Sequence, residues 1–99
     1  MPEIWSERYK TLKQTCRKQG ISVRKVPDRK TRDYVGMNDL AAKPLGYKMS
    51  KRTIYIDKNL NPRAKAHTLN HEMIERDLMS KGKTYWQAHK VALQKETHF

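Results

Sequence analysis

Apolar residues recur at helical spacing from the start of the chain. Ile4, Trp5, Tyr9, Leu12 and Cys16 are separated by charged stretches, which predicts a helix from about Pro2 to Gln19 with one inward face. Pro2 is tolerated in a first turn, and Gly20 supplies a C-terminal stop. The period then shortens to two. Ile21 and Val23 alternate with polar residues up to Pro27, a short strand. Tyr34-Val35-Gly36-Met37 reads as a second strand. Lys51-Arg52-Thr53-Ile54-Tyr55-Ile56-Asp57, β-branched and aromatic, is the clearest, and it breaks at Asp57-Lys58-Asn59. Asp28 to Arg32 reads as a charged turn. Asn38 to Gly46, with its Asn-Asp, Lys-Pro and Leu-Gly pairs, reads as a loop.

The helical period returns after Asn61-Pro62, an N-cap followed by proline at the first helical position. The predicted helix runs from Pro62 to Ser80, with Leu69, Met73, Ile74 and Leu78 as its buried stripe and Ala66 as a close-packing position. Lys81-Gly82 ends it. Thr84-Tyr85-Trp86-Gln87 is a capping box that opens a last helix, about Tyr85 to Glu96, with Trp86, His89, Val91, Ala92 and Leu93 at its apolar or special positions. So short a connection favours an antiparallel pair. The fold class expected is α+β: an N-terminal helix, a small two- to three-stranded sheet and a C-terminal antiparallel helix pair. Residues 1–99 are expected to form one domain, with a basic helix-and-strand part over 1–60 and, over 61–96, a helix hairpin that would carry any metal site.

Composition narrows the function classes. At 99 residues and 36% hydrophobic, the chain supports one modest core, which a bound metal would help to stabilise. No run of about 18 apolar residues occurs, so no membrane partner is expected. The start, Met1-Pro2-Glu3-Ile4-Trp5, lacks the apolar centre of a signal peptide. A single cysteine, Cys16, permits no internal disulfide and reads as a small buried hydrophobe. Together these suggest a cytoplasmic protein, in the host cytoplasm if the chain is viral. The formal net charge is +12, and residues 1–60 hold 15 Lys/Arg against 6 Asp/Glu. Such a field favours polyanions, nucleic acid above all, although a solvated basic surface accounts for it equally well. The nucleic-acid candidates are Lys10, Lys13, Arg17, Lys18, Arg24, Lys25, Arg29, Lys30 and Arg32. They stand without helix-turn-helix, zinc-finger or RNA-binding signatures.

The chemistry concentrates in His71-Glu72-x-x-Glu75. Residues four apart share a helix face, so His71 and Glu75 can point at one spot with Glu72 displaced to the side. That supplies two metal ligands and a neighbouring carboxylate able to act on metal-bound water. His89 can be a third ligand if the hairpin folds its helix back across the first. His67 is a rival, since His67, His71 and Glu75 fall at i, i+4 and i+8, although an ideal helix drifts by about 40° per step of four. His98 lies near the C-terminus. In a charged helix these residues can equally be a solvated face. Arg76, at i+4, is the evident salt-bridge partner for Glu72.

Thr53-Ile54-Tyr55-Ile56-Asp57, His71-Glu72-Met73-Ile74-Glu75 and the stretch from Gly82 to Leu93, with Tyr85-x-x-Ala88-His89 at its centre, together resemble a group of small archaeal, viral and phage proteins. These look like compact relatives of the gluzincin metallopeptidases, and the likeness spans about residues 50–96. The resemblance implies that zinc is bound by His71, Glu75 and His89 and that Glu72 is the general base of a small zinc-dependent peptidase. It also implies that the Thr53–Ile56 strand is an edge able to pair with an extended peptide. The usual zinc-peptidase helix reads His-Glu-x-x-His, and Glu75 stands here at the second histidine. Tyr85 or Tyr55 is available to stabilise an oxyanion, with hairpin packing the preferred role for Tyr85 and Trp86. The alternative function is a basic nucleic-acid-binding protein of viral or archaeal type in which any metal site is structural or vestigial.

Overall fold

The computed structural model describes residues 2–27 and 34–96. Seven elements follow in order: α1 (Pro2–Lys18), β1 (Ser22–Val26), β2 (Gly36–Asn38), α2 (Asp39–Ala42), β3 (Thr53–Asp57), α3 (Pro62–Ser80) and α4 (Tyr85–Glu96). This is the α+β arrangement expected from the periodicities. Arg29, Lys30, Arg32 and His98, with the charged turn over 28–32, lie outside the described residues.

The sheet has the order β1-β3-β2. β1 runs parallel to β3 with Ser22 opposite Thr53, and β2 runs antiparallel with Met37 opposite Tyr55. β3 is therefore the central strand. The expectation of a Thr53–Ile56 edge fails, because neighbours hydrogen-bond along both of its sides and leave no backbone groups for a peptide. From Ile54 onward its residues alternate as in a one-sided strand: Ile54 and Ile56 are fully buried while Tyr55 and Asp57 are not, and Thr53 at its start is buried too.

Ile54 and Ile56 meet Tyr9, Cys16, Ile21, Ala66 and Leu69 in the core, with Trp5, Leu12, Val23, Leu60 and Met73 at its margin. The α1 stripe thus faces inward as its spacing predicts, except that Ile4 is 51% exposed. Burial pushes the Cys16 thiol above its ordinary value, in keeping with an inert packing residue. Gly20, at φ +75°, turns the chain out of α1. The Ile21 amide then donates back to the Cys16 carbonyl at 2.9 Å.

α3 carries the fold, packing against α1, α4, β3, β2 and α2. Asn61 caps it, its side chain accepting from the Ala64 amide at 2.9 Å. At α4 the Thr84–Gln87 capping box forms in both directions, at 3.0 and 3.2 Å. Contacts between Glu75 and His89 and between His71 and Glu96 fix the two helices as antiparallel.

Two expectations are corrected. Asn38 to Gly46 is not merely a loop: Asn38 caps the one-turn helix α2, its side chain accepting from the Ala41 amide at 2.9 Å. The buried stripe of α3 also differs. Leu69 is buried as expected, but Met73, Ile74 and Leu78 are only partly so. The buried set is Ala66, Thr68, Leu69, His71, Glu72 and Glu75. A predominantly polar face of α3 is thus turned toward β2 and α4.

β2 reaches that face because residue 36 has no side chain. A Cβ there would meet Thr68 Cγ2 at 2.6 Å and the Tyr55 carbonyl oxygen at 3.2 Å. Gly36→Ala is expected to cost about 2 kcal/mol, since the β-branched Thr68 has little freedom to yield. Adding Thr68→Ser removes the clashing methyl, and thermal melts should show the double variant recovering part of the loss.

Candidate metal centre

α3 presents His71, Glu72 and Glu75 on its buried polar face, and α4 brings His89 across to meet them. His71 Nε2 lies 3.0 Å from Glu75 Oε2, His89 Nδ1 lies 2.9 Å from the same oxygen, and the two nitrogens are 3.3 Å apart. Three potential ligand atoms from three side chains thus close a small triangle. Tetrahedral zinc with bonds of 2.0–2.1 Å sets its ligand atoms about 3.3 Å apart, close to these separations. His71, Glu75 and His89 are the one group of this kind among the described residues, and they could hold a metal ion.

The surroundings hold these side chains in place. Asn38 Nδ2 donates to Glu72 Oε1 at 2.9 Å and to Glu75 Oε1 at 3.2 Å. Its Oδ1 is already fixed as the α2 cap, so the orientation of the amide is set by the backbone. Glu75 therefore has one oxygen tied to Asn38 and the other turned to the histidines. On the far side of His71, Nδ1 lies 3.5 Å from Glu96 Oε2. Carboxylates behind a ligating imidazole commonly set its tautomer and raise its basicity. The Tyr85 ring stacks on His89 with centroids 5.3 Å apart, which limits rotation of that imidazole.

Burial and charge act together here. Glu72 is 6% exposed. Its burial, with the Glu75 charge next, pushes its carboxyl up to about 8. For His71, burial disfavours the charged imidazole. The hydrogen bond to Glu75 and the charges of Glu72, Glu75 and Glu96 outweigh that and leave it above its ordinary value. Burial, with Glu75, Tyr34 and Glu72 nearby, holds the Tyr85 hydroxyl protonated well above the usual range. Carboxylates and imidazoles gathered this closely favour a cation among them.

The cluster opens into a cavity of about 200 Å³, whose further walls include Val35, Gly36, Met37, Leu45, Tyr85 and Leu93. Glu72 lines it along with the three candidate ligands. Tyr85 lines it too, as does Tyr34, whereas Tyr55 does not. Trp86, expected to pack in the hairpin, is instead 71% exposed. It touches Tyr85 edge-on at 4.8 Å between centroids.

Other candidates fall elsewhere. The His67 ring packs against Trp5 of α1, centroids 5.0 Å apart, so the helical drift has carried it off the metal face. Arg76 does not pair with Glu72; it grips Asp39, Nε to Oδ1 at 2.6 Å and Nη2 to Oδ2 at 3.3 Å. Lys10, Lys13, Arg17 and Arg24 line a groove between α1 and β1, while Lys18 and Lys25 are exposed outside it. Asn38, Asp39 and Glu96 were not singled out from the sequence. Only the Asn-Asp pair at 38–39 carries a signal, that of a loop rather than a cap.

No protein-family model matches the chain, and neither a curated protein nor a solved structure gives a significant match. The likeness to gluzincins accordingly rests on the motifs alone.

Proposed function

We propose that the chain is a small zinc-dependent peptidase, with His71, Glu75 and His89 as ligands and Glu72 as general base. The observation that supports this most is the triangle of His71 Nε2, His89 Nδ1 and Glu75 Oε2, with sides of 2.9 to 3.3 Å, on the wall of a cavity that Glu72 shares. Two imidazoles and a carboxylate are the ligand types zinc accepts in catalytic sites. Bound there, zinc would make hydroxide available at neutral pH by bringing the pKa of its water to about 7.

The chain's own residues then divide the work. Glu72 accepts the proton of the attacking water and returns it to the leaving amine. Its carboxyl is held up chiefly by burial and next by the Glu75 charge; a cation against Glu75 would offset the second cause and bring Glu72 nearer to a working base. Asn38 holds Glu72 and Glu75 apart in fixed orientations through its two N–H bonds. Tyr85 keeps its proton and is a donor available to a developing oxyanion. The apolar walls at Val35, Met37, Leu45 and Leu93 suit an apolar substrate side chain. β2, not β3, is the edge strand beside the cavity, and its three residues are buried.

The test is hydrolysis of a fluorogenic peptide library by zinc-loaded protein, wild type beside Glu72→Gln. The expected result is turnover in the wild type, a loss of at least 100-fold in Glu72→Gln, and equal zinc content in both. Zinc bound at one per chain with no hydrolysis above the Glu72→Gln background would make the centre structural and overturn the peptidase assignment.

A further inference from the structure

Among the described residues, basic side chains gather in a groove between α1 and β1, separate from the residues of the metal centre. Lys10, Lys13 and Arg17 line it from α1 and Arg24 from β1, with Gln14 and Ser22 between them. Among the described residues no acidic side chain lines it and none of the four cations enters an ion pair, although Lys13 Nζ lies 4.9 Å from the centroid of the Tyr9 ring. Lys10, Lys13 and Arg17 fall at i, i+3 and i+7 of one helix, so they form a row about 10 Å long. A nucleic-acid strand rises about 3.4 Å per phosphate but winds about its axis, which sets successive phosphates about 7 Å apart, so a row of that length meets two to three of them. β1 adds polar backbone. Ser22 N–H and the Val26 carbonyl bond toward the β3 side. In a parallel ladder the N–H groups of Val23 and Lys25 then point outward.

We propose that this groove binds the phosphate backbone of duplex nucleic acid without regard to sequence. The duplex is favoured over single strands because no aromatic side chain among the described residues lines the groove. Unstacked bases are held on aromatic platforms, and none is present there. Sequence independence follows from the same lining: the row is cationic, and it meets the backbone rather than a base edge.

The experiment is fluorescence anisotropy with a labelled 20-base-pair DNA of arbitrary sequence, titrated with full-length protein from 50 to 300 mM salt. A charge-matched comparison separates the groove from net charge alone. Lys10→Gln/Arg17→Gln removes two groove cations; Lys58→Gln/Lys95→Gln removes two exposed cations elsewhere. Wild type should show a slope of log K against log salt of about −4, for four phosphate contacts. The groove double variant should lose at least tenfold in affinity and about two from the slope, while the matched control changes less than threefold. The proposal is overturned if the two variants lose equally, if the matching single strand binds as tightly as the duplex, or if no binding is seen at 50 mM salt. Binding to phosphatidylserine vesicles without binding to DNA would assign the groove to a membrane surface and also overturn it.

Discussion

Zinc at a hundredfold excess over its dissociation constant should raise the melting temperature of the wild-type chain by about 10–20 °C. A ligand bound only to the folded state adds RT ln(1 + [L]/Kd), about 2.7 kcal/mol at that excess. A domain of this size shifts by about 4–8 °C per kcal/mol. His71→Ala and His89→Ala should each abolish the shift, and elemental analysis should find about one zinc per wild-type chain and none in the variants. The two mutants test different links. His71 lies on α3 beside Glu75, so its loss removes half of the one-helix pair. His89 comes from α4, so its loss tests whether the hairpin supplies a ligand or merely a packed neighbour. A zinc shift that survives His89→Ala would leave only the i, i+4 pair at work.

Asp39→Ala should destabilise the chain by about 3 kcal/mol with no metal involved. The Asp39 side chain is 9% exposed and Arg76 16%, and their bond is bidentate. Removing the acid strands a largely buried guanidinium, the costly way to break such a pair. It also removes the acceptor for the Arg52 amide at 2.9 Å. The pH dependence gives an independent check. Burial pushes the Asp39 carboxyl up, but the hydrogen bonds from Arg76 and the Arg52 amide override it, so the group sits below its ordinary 3.8. A carboxylate depressed in the folded state contributes its stability in full above the unfolded value and loses it as pH falls through the folded one. Denaturant melts of wild type and Asp39→Asn should therefore differ most at neutral pH, with the gap closing only below about pH 4. A gap that narrowed nearer pH 6 would point to another group.

The helices were legible because their ends are written locally. Asn61-Pro62, the Thr84–Gln87 box and Gly20 act within a turn or two of the residues they cap. β3 was legible for a similar reason, its β-branched run fitting a half-buried strand. What misled was anything decided by a distant neighbour. α2 spans four residues, too short for a period to register, and its cap is part of a pair that reads as loop. Hydrophobicity favoured Met73, Ile74 and Leu78 as the buried stripe of α3, yet β2 and α4 instead cover Thr68, His71, Glu72 and Glu75. Nothing local to a glutamate reveals that an asparagine 34 positions away will donate to it. The same holds for Arg76, whose partner is Asp39 rather than the nearer Glu72. The meeting of His71, Glu75 and His89 follows from helical spacing and a short hairpin connection; the presence of Glu96 behind His71 does not.

A peptide of residues 61–96 would contain every candidate ligand and still lack the centre. Glu72 and Glu75 would lose the amide that separates them, and Arg76 the acid that neutralises it, because both come from the adjoining residues Asn38 and Asp39. Those two side chains also shape α2, one as its cap and the other in its first turn. A graft of this centre onto another scaffold therefore has to bring a strand end and a single helical turn along with the hairpin. Chain variation that lengthened or shifted the 38–39 corner would disturb the site without altering any residue that touches a metal.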